Sequence, residues 1–586
     1  MKKKAILVMA LAFAFSSFGA IFAQNAEDAK FQKILDNFLD EYWKFYPTAG
    51  TVMGFAKYGD RLEDLGSKAI EARHDRLDTF NQELVTKVDK SKLSADAQID
   101  HEMLMDALDL EFVKFENLLP WESNPIFYND ILVNALRSLL IKDGQPLDAR
   151  VKSATERAKA IPGLLKQAKA NLKTPPQIYT ETAVKQFPAI LEIYKTEIPE
   201  LAGAASSKAA LQAELAKAVT ALEDYQRFLQ NELLPKSSGL FRLGDQVHLR
   251  LLRLTTQGNL PMDELVARAT ADVKNIRREM FLVCIPFYKV MYPNINLEQL
   301  TTQRGEEEVR NIVIKGVFDK IKNYHPSKEQ YIDQIKASVD SVRNYLKMTD
   351  IIPNPEQQLA VESMPAASRG VSSIRFVTPG AYESDGAYAF QIQPVPDDWS
   401  PDQVTSYLEE YTHFYTPFLV VQRIYPGAFV PTALARKSGT LVSKLFSNQA
   451  LINGWPIYTE EMLINAGFGE YDLRMRLNQL KLMLKTVMDF QLELNIHQGT
   501  MTQEQAVKYM MGSGFQTQAE AERKWNHIFL NPGDAAYPYI GYQEILDLAK
   551  EYKKLKGDAF SEKEFLQKIV SFGAISLRQL KVKLAQ

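Results

Sequence analysis

The sequence predicts a mainly α fold with one small β element at about residues 359–393. Apolar residues recur at helical spacing through most of the chain. Prolines and short alternating stretches cluster in a single region. Composition is globular, with 46% hydrophobic, 10% aromatic and 24% charged residues in a chain of 586.

The helical evidence begins at Phe31, Ile34, Leu35, Phe38, Leu39 and Tyr42, which fall on one face of a helix that Pro47 ends. Amphipathic stretches follow at about 151–172, 207–233, 262–283, 328–348, 402–425, 455–495, 503–512, 518–528, 541–555 and 561–570. Between about 351 and 400, Pro353, Pro355, Pro365, Pro379, Pro394 and Pro396 separate Ser373–Val377 and Ala387–Ile392. These two segments read as strands between turns, with an extended surface loop as the alternative. No repeat or low-complexity linker divides the chain. The expected organisation is a single domain over 24–586, made of a helical part (24–350), a small β/loop part (351–400) and a second helical part (401–586).

Residues 1–23 read as an address. Lys2, Lys3 and Lys4 precede an apolar run from Ala5 to Phe15 and small residues up to Ala23, the pattern of a secretory signal. Cleavage is expected after Ala23, with Ala20 as competitor. The apolar run is shorter than the roughly 20 residues of a membrane span, and no cysteine follows it for lipid attachment. The expectation is an exported protein, periplasmic or extracellular, with no membrane association after signal removal. Loss of the three lysines moves the net charge from −3 to −6.

Charge and cysteine content exclude whole classes. Lys plus Arg is 69 against 72 Asp plus Glu, a balance that excludes electrostatic nucleic-acid binding as the main function. One cysteine, Cys284, excludes an intrachain disulfide and a four-thiolate zinc site. Stability must come from core burial, which a chain of this length supplies.

Local motifs show no chemistry. The seven histidines are all more than ten residues apart. His101-Glu102 opens a His-Glu-x-x-His pattern, but Met105 closes it. Gly512-Ser513-Gly514 lacks the spacing of a nucleophile elbow. Asp472 interrupts the glycine pattern that Gly467 and Gly469 begin. Cys284 sits in an apolar run and reads as a small buried hydrophobe. A site assembled from distant histidines is invisible at this level.

The last third carries a pattern of another kind. Tyr407-Leu-Glu-Glu-Tyr411 leads to Tyr425-Pro426-Gly427, then to Gly454-Trp455-Pro-Ile-Tyr458-Thr-Glu460-Glu-Met462. Asn495-Ile-His497 through Glu504-Gln-Ala506 follows, then Glu522-Arg523, Asn531-Pro532, Ile540-Gly541, Phe560–Phe565 and Ser571-Phe-Gly573. In this order the segments resemble the C-terminal half of the bacterial domain-of-unknown-function 885 family. Its members are similar to gluzincin metallopeptidases, the helical group that includes angiotensin-converting enzyme. Phe45-Tyr-Pro47, Gly54, and Leu93-Ser94 before the helix containing Asp100 extend the resemblance more weakly into the N-terminal half.

The resemblance implies a large helical gluzincin-like domain and also shows what is missing. The family's first zinc-ligand histidine falls on Gln422, its general-base glutamate on Arg423, its second histidine on Ala428 and the glutamate opening its Gly-Trp segment on Asn453. Zinc takes imidazole, carboxylate or thiolate donors; alanine offers none, and the two amides offer only neutral oxygens. Arg423 adds a fixed positive charge where a cation would sit, a repulsion of about 4 kcal/mol at 4 Å and surface-like dielectric. A tyrosine expected at Pro538 is missing, with Tyr537 and Tyr539 on either side.

The expectation is therefore an exported, non-catalytic, peptidase-like protein without a zinc cofactor, whose cleft binds a peptide or carboxylate-bearing ligand. Candidate ligand-binding residues are Arg423, Tyr425, Trp455, Tyr458, Glu460 and His497, with core packing as the competing role for the aromatic members. Arg423 is expected to pair with a ligand carboxylate or with Glu460. By analogy with the gluzincins, Ala387–Ile392 is expected to serve as an edge strand that aligns an extended peptide. The alternative is an active peptidase or hydrolase of the same family, either holding zinc through other donors or metal-free. The sequence does not fix the oligomeric state.

Overall fold

The structure, a computed structural model, describes residues 25–585 apart from 143, 259, 260 and 385; the predicted signal at 1–23 lies outside them. Helical periodicity becomes helix almost throughout. In Ala26–Phe45 the Asn25 side chain accepts the Glu27 amide, and Phe31, Ile34, Leu35, Phe38, Leu39 and Trp43 form the buried face. Pro47 then opens the next helix, Pro47–Val52, where its missing N–H costs nothing.

Two of the predicted helices divide. The stretch 402–425 forms Pro401–Leu408 and Thr416–Arg423. The stretch 455–495 forms Gln449–Asn465 and Leu473–His497. In the second case Gly467, Gly469, Glu470 and Tyr471 all adopt positive φ and reverse the chain. The two glycines do so without a Cβ penalty, so the apolar periodicity on either side hid a turn. Taken across the kink at 424–428, Thr416–Ser438 is apolar and long enough to cross a membrane. Of its most apolar window 78% is buried inside the protein, as for a core helix.

The β element is a three-stranded sheet of β1 (Leu359–Ser363), β2 (Ile374–Val377) and β3 (Tyr388–Ile392), in spatial order β1-β3-β2. β1 runs parallel to β3, with Leu359 opposite Tyr388; β2 runs antiparallel, with Ile374 opposite Ile392. Tyr388, Phe390 and Ile392 form the buried face. The expected edge strand, Ala387–Ile392, is thus the central one: β1 and β2 already take its backbone groups, and none remain to pair with an added peptide. Tyr388 meets Phe429 at 5.3 Å, and Phe429 stacks on Tyr425 at 5.7 Å, which ties the sheet to the C-terminal helices.

Those helices cross at a point of backbone contact. A Cβ on Gly454 would lie 2.2 Å from the Gly541 carbonyl carbon, and one on Gly541 would lie 1.8 Å from the Ala450 oxygen. Gln449–Asn465 and Tyr537–Lys556 can approach so closely only with glycine at both positions. Leu473–His497 runs through the centre and is buried along most of its length. It shares a separate apolar core with Met262–Met291 and Glu306–Ile321, in which Cys284 is one of the packed side chains. Burial pushes the Cys284 thiol up to about 12, as befits a structural rather than a reactive cysteine.

Candidate functional site

The positions to which the resemblance assigns metal chemistry lie around the kink between Thr416–Arg423 and Phe429–Ser438. Gln422 is buried, and its Oε1 accepts from Thr486 Oγ1 at 3.5 Å. Asn453 Nδ2 donates to the Gln449 carbonyl at 2.9 Å, one turn back on its own helix. Ala428 is half-buried and carries no donor atom.

Most of the predicted ligand-binding residues are packed. The Trp455 ring is fully buried, and its Nε1 donates to the Leu566 carbonyl at 3.4 Å. Tyr458 lies edge-on to Phe565, and burial raises its phenol. The Tyr425 hydroxyl bonds Asn354, and Arg343 stands 5.2 Å over the ring. Glu460 is fully buried and pairs not with Arg423 but with Gln479, whose Nε2 donates to it at 2.7 Å. Burial pushes the Glu460 carboxyl up to about 8, so it is protonated at neutral pH.

Arg423 differs from these. It is half-buried and makes no hydrogen bond or ion pair among the described residues, yet its charge pulls down the carboxyl of Asp534. Asp534 lies in the turn between Gln518–Leu530 and Tyr537–Lys556. It is accessible to solvent, but the surrounding protein, with the charge of Glu493, raises it to about 7 against the pull of Arg423. Of the tyrosines flanking Pro538, Tyr537 feels both Asp534 and Glu493. Tyr539 turns away, its hydroxyl donating to Asp272 at 2.8 Å.

Glu493 belongs to a group that the sequence reading missed. His248 on Asp245–Thr256 meets Glu493 and His497 on Leu473–His497, and all three are fully buried. His248 Nε2 lies 2.9 Å from Glu493 Oε1, and the Gly533 amide donates to the same oxygen at 2.7 Å. His497 Nε2 is 3.3 Å from that oxygen. The two imidazoles stack with centroids 4.5 Å apart. Burial alone would raise Glu493; the two histidines outweigh it and bring the carboxyl down to about 2. The segments dock through backbone as well, since the Gly244 amide donates to the His497 carbonyl at the helix end, at 3.2 Å. The spacing of Glu493 and His497, one turn apart on a single face, was a readable signal; His248, 245 residues away, was not.

A second polar cluster is structural in form. Lys485 Nζ lies 3.1 Å from Glu410, 3.2 Å from Glu520 and 3.0 Å from the Tyr415 hydroxyl. Arg523 grips Glu520 through two bonds of 2.8 Å, and Lys481 pairs with Glu410 at 2.9 Å. Two clefts open elsewhere. One of about 1540 Å³ lies between N-terminal helices and the outer face of the sheet, near Arg137, Lys142 and Arg375. One of about 700 Å³ lies near Trp399, Arg523 and His527. None of the six predicted ligand-binding residues lines either one.

The fold and these clusters define a large, mainly helical domain with a three-stranded sheet and a polar centre on its C-terminal helices. The chain belongs to the family of bacterial proteins of unknown function DUF885, whose model matches residues 47–584. Two solved structures share the fold. One is of a protein from Shewanella oneidensis described as a "putative lipoprotein of unknown function", with TM-score 0.77, 24% identity, and coverage of 95% of this chain and 100% of that one. The other is of a "putative lipoprotein" from Colwellia psychrerythraea, with TM-score 0.72, 14% identity, and coverage of 96% and 99%. No curated protein matches the chain.

Proposed function

We propose that this protein is an exported, non-catalytic member of its family that binds a carboxylate-bearing, peptide-like ligand between Arg423 and Asp534. One observation carries this reading: half-buried Arg423 and exposed Asp534 are close enough for the one charge to act on the other, and neither has a hydrogen bond or ion pair from its side chain among the described residues. A guanidinium left uncommitted is a ready carboxylate receptor, and Asp534 offers a counterpart for a ligand ammonium group. The replaced positions support the non-catalytic part, since Gln422 and Asn453 offer only neutral amides there and Gln422 Oε1 already accepts from Thr486. Export is supported by the N-terminal pattern and by the description of both structural relatives as lipoproteins.

The test is calorimetric titration with tetra-alanine carrying free termini, and with its C-amidated and N-acetylated forms. Losing a hydrogen bond to a charged group costs about 1.5–3 kcal/mol, so amidation or Arg423→Ala should weaken binding roughly 10- to 100-fold. Acetylation or Asp534→Asn should weaken it separately. If Arg423→Ala binds the free peptide as tightly as the wild type, the carboxylate receptor is refuted. The hydrolase alternative would have to find its donors at His248, Glu493 and His497; peptide cleavage that depends on them would replace the binding reading.

A further inference from the structure

Among the described residues, His248, Glu493 and His497 are the one set of three or more metal-capable side chains whose donor atoms all lie within 4.8 Å of one another. None of them is among the positions to which the family resemblance assigns zinc. We infer that these three residues form a buried site for a divalent transition-metal ion of the zinc class, which fastens the 531–536 turn to the two helices beneath it.

The donor set is of the right chemistry: two imidazoles and a carboxylate hold zinc in many proteins. The spacing is close as well. With bonds of about 2.0–2.1 Å, tetrahedral donors stand roughly 3.3 Å apart, and His497 Nε2 is 3.3 Å from Glu493 Oε1. His248 Nε2, at 2.9 Å from the same oxygen, needs to withdraw by only a few tenths of an ångström. A second, independent observation is the set of atoms left over. His497 Nε2, one of the three donors that would face the ion, is buried without a hydrogen-bond partner, as is the second oxygen of the ligating carboxylate, Glu493 Oε2. Buried polar atoms are nearly always satisfied, and an unpartnered donor atom in such a cluster calls for a missing partner.

The surroundings show what such an ion would do. The Gly533 amide already holds Glu493 Oε1, an outer contact of the kind that orients ligating carboxylates. The Leu243 amide points at His497 Nδ1 over a long 3.4 Å. An ion on Nε2 moves the ring proton to Nδ1, so this weak bond must open and the 239–244 segment must shift slightly. Three protein donors leave the fourth position of a tetrahedral ion to a water or a neighbouring group, and full burial of all three side chains keeps that position away from bulk solvent, as suits a structural role. Asp534 directly follows Gly533, so an ion here would also hold the acidic side of the ligand site in place.

The experiment is zinc chloride titration of the full mature protein after chelator treatment, read as bound zinc per chain by elemental mass spectrometry. The expected result is one zinc per chain in the wild type and in Asn453→Ala, and a drop of at least tenfold in occupancy in His248→Gln and Glu493→Gln. Replacing zinc with cobalt(II) should give the intense visible absorption of a four-coordinate site. That readout needs no variant and so survives a misfolded one. Absence of metal and of the cobalt spectrum in the wild type overturns the inference while leaving peptide binding at Arg423 untouched. Zinc retained in folded His248→Gln overturns it too. Zinc lost from folded Asn453→Ala would place the ion at the family position and overturn both readings.

Discussion

Replacing Gly541 with alanine adds one methyl where two helices touch backbone to backbone. The new carbon would sit 1.8 Å from the Ala450 oxygen, 2.6 Å from its carbonyl carbon and 3.0 Å from the Gly454 Cα. Ordinary contact begins at 3.4 Å, so the helices must part by more than an ångström. Overpacking costs about 1–3 kcal/mol, and with backbone on the opposing side, unable to rotate away, the upper end applies. Alanine returns about 1 kcal/mol of helix propensity, which leaves a net loss of about 2 kcal/mol. Gly163, inside the helix Leu147–Asn171, has nothing within 4 Å of its absent Cβ, so the same substitution there should stabilise by up to about 1 kcal/mol. Urea midpoints by far-UV circular dichroism of the wild type and the two variants measure the difference, expected to be about 3 kcal/mol. If Gly541→Ala is as stable as Gly163→Ala, the crossing does not require glycine and the account of the retained Gly-Trp and Ile-Gly segments as packing fails.

Three further outcomes follow from the buried charges. Glu460 is held at about 8, above its unfolded value near 4.5, so the folded state binds the extra proton between those values. Its contribution is complete below about pH 4.5 and is lost as pH rises towards 8, at up to about 1.4 kcal/mol per pH unit. Glu460→Gln should therefore flatten stability over pH 5–8 and exceed the wild type at pH 8; an unchanged profile would contradict the assignment. His527 is lowered to about 3 by burial, then by Lys524 and Arg523. Its contribution is present above about pH 6.5 and is lost as pH falls towards 3, so His527→Gln should soften acid unfolding in that window. Glu520→Ala leaves Lys485 and Arg523 without their shared carboxylate and should cost about 3–5 kcal/mol by chemical denaturation; a loss below 1 kcal/mol would show that the network relaxes around it.

Much of the fold was legible because it rests on local signals. The face from Phe31 to Leu39 is the buried face of the first helix, and the proline-punctuated stretches became the sheet. Strand order was not legible: alternation shows that Tyr388–Ile392 has a buried face, but nothing within it reveals that both edges are occupied. Helix ends were missed where a turn carried apolar residues, as at Gly467–Tyr471. The site was legible only in part. The resemblance puts the family's zinc positions on Gln422, Arg423, Ala428 and Asn453, and it made His497 a candidate. The approach of Arg423 to Asp534, and of His248 to Glu493, joins residues more than a hundred positions apart, and such contacts come from the packing of helices rather than from spacing. Gly454 and Gly541 were readable as motif members, but their reason, a helix crossing, is visible only in three dimensions.

Equilibrium dialysis of the zinc-supplemented mature protein against tetra-alanine, with the peptide weighed by mass spectrometry on both sides, tests the binding-without-cutting reading most directly. The account predicts an excess of peptide on the protein side that disappears with Arg423→Ala, and full-length peptide throughout. Shorter fragments carrying the mass of added water, or no excess on the protein side, would contradict it.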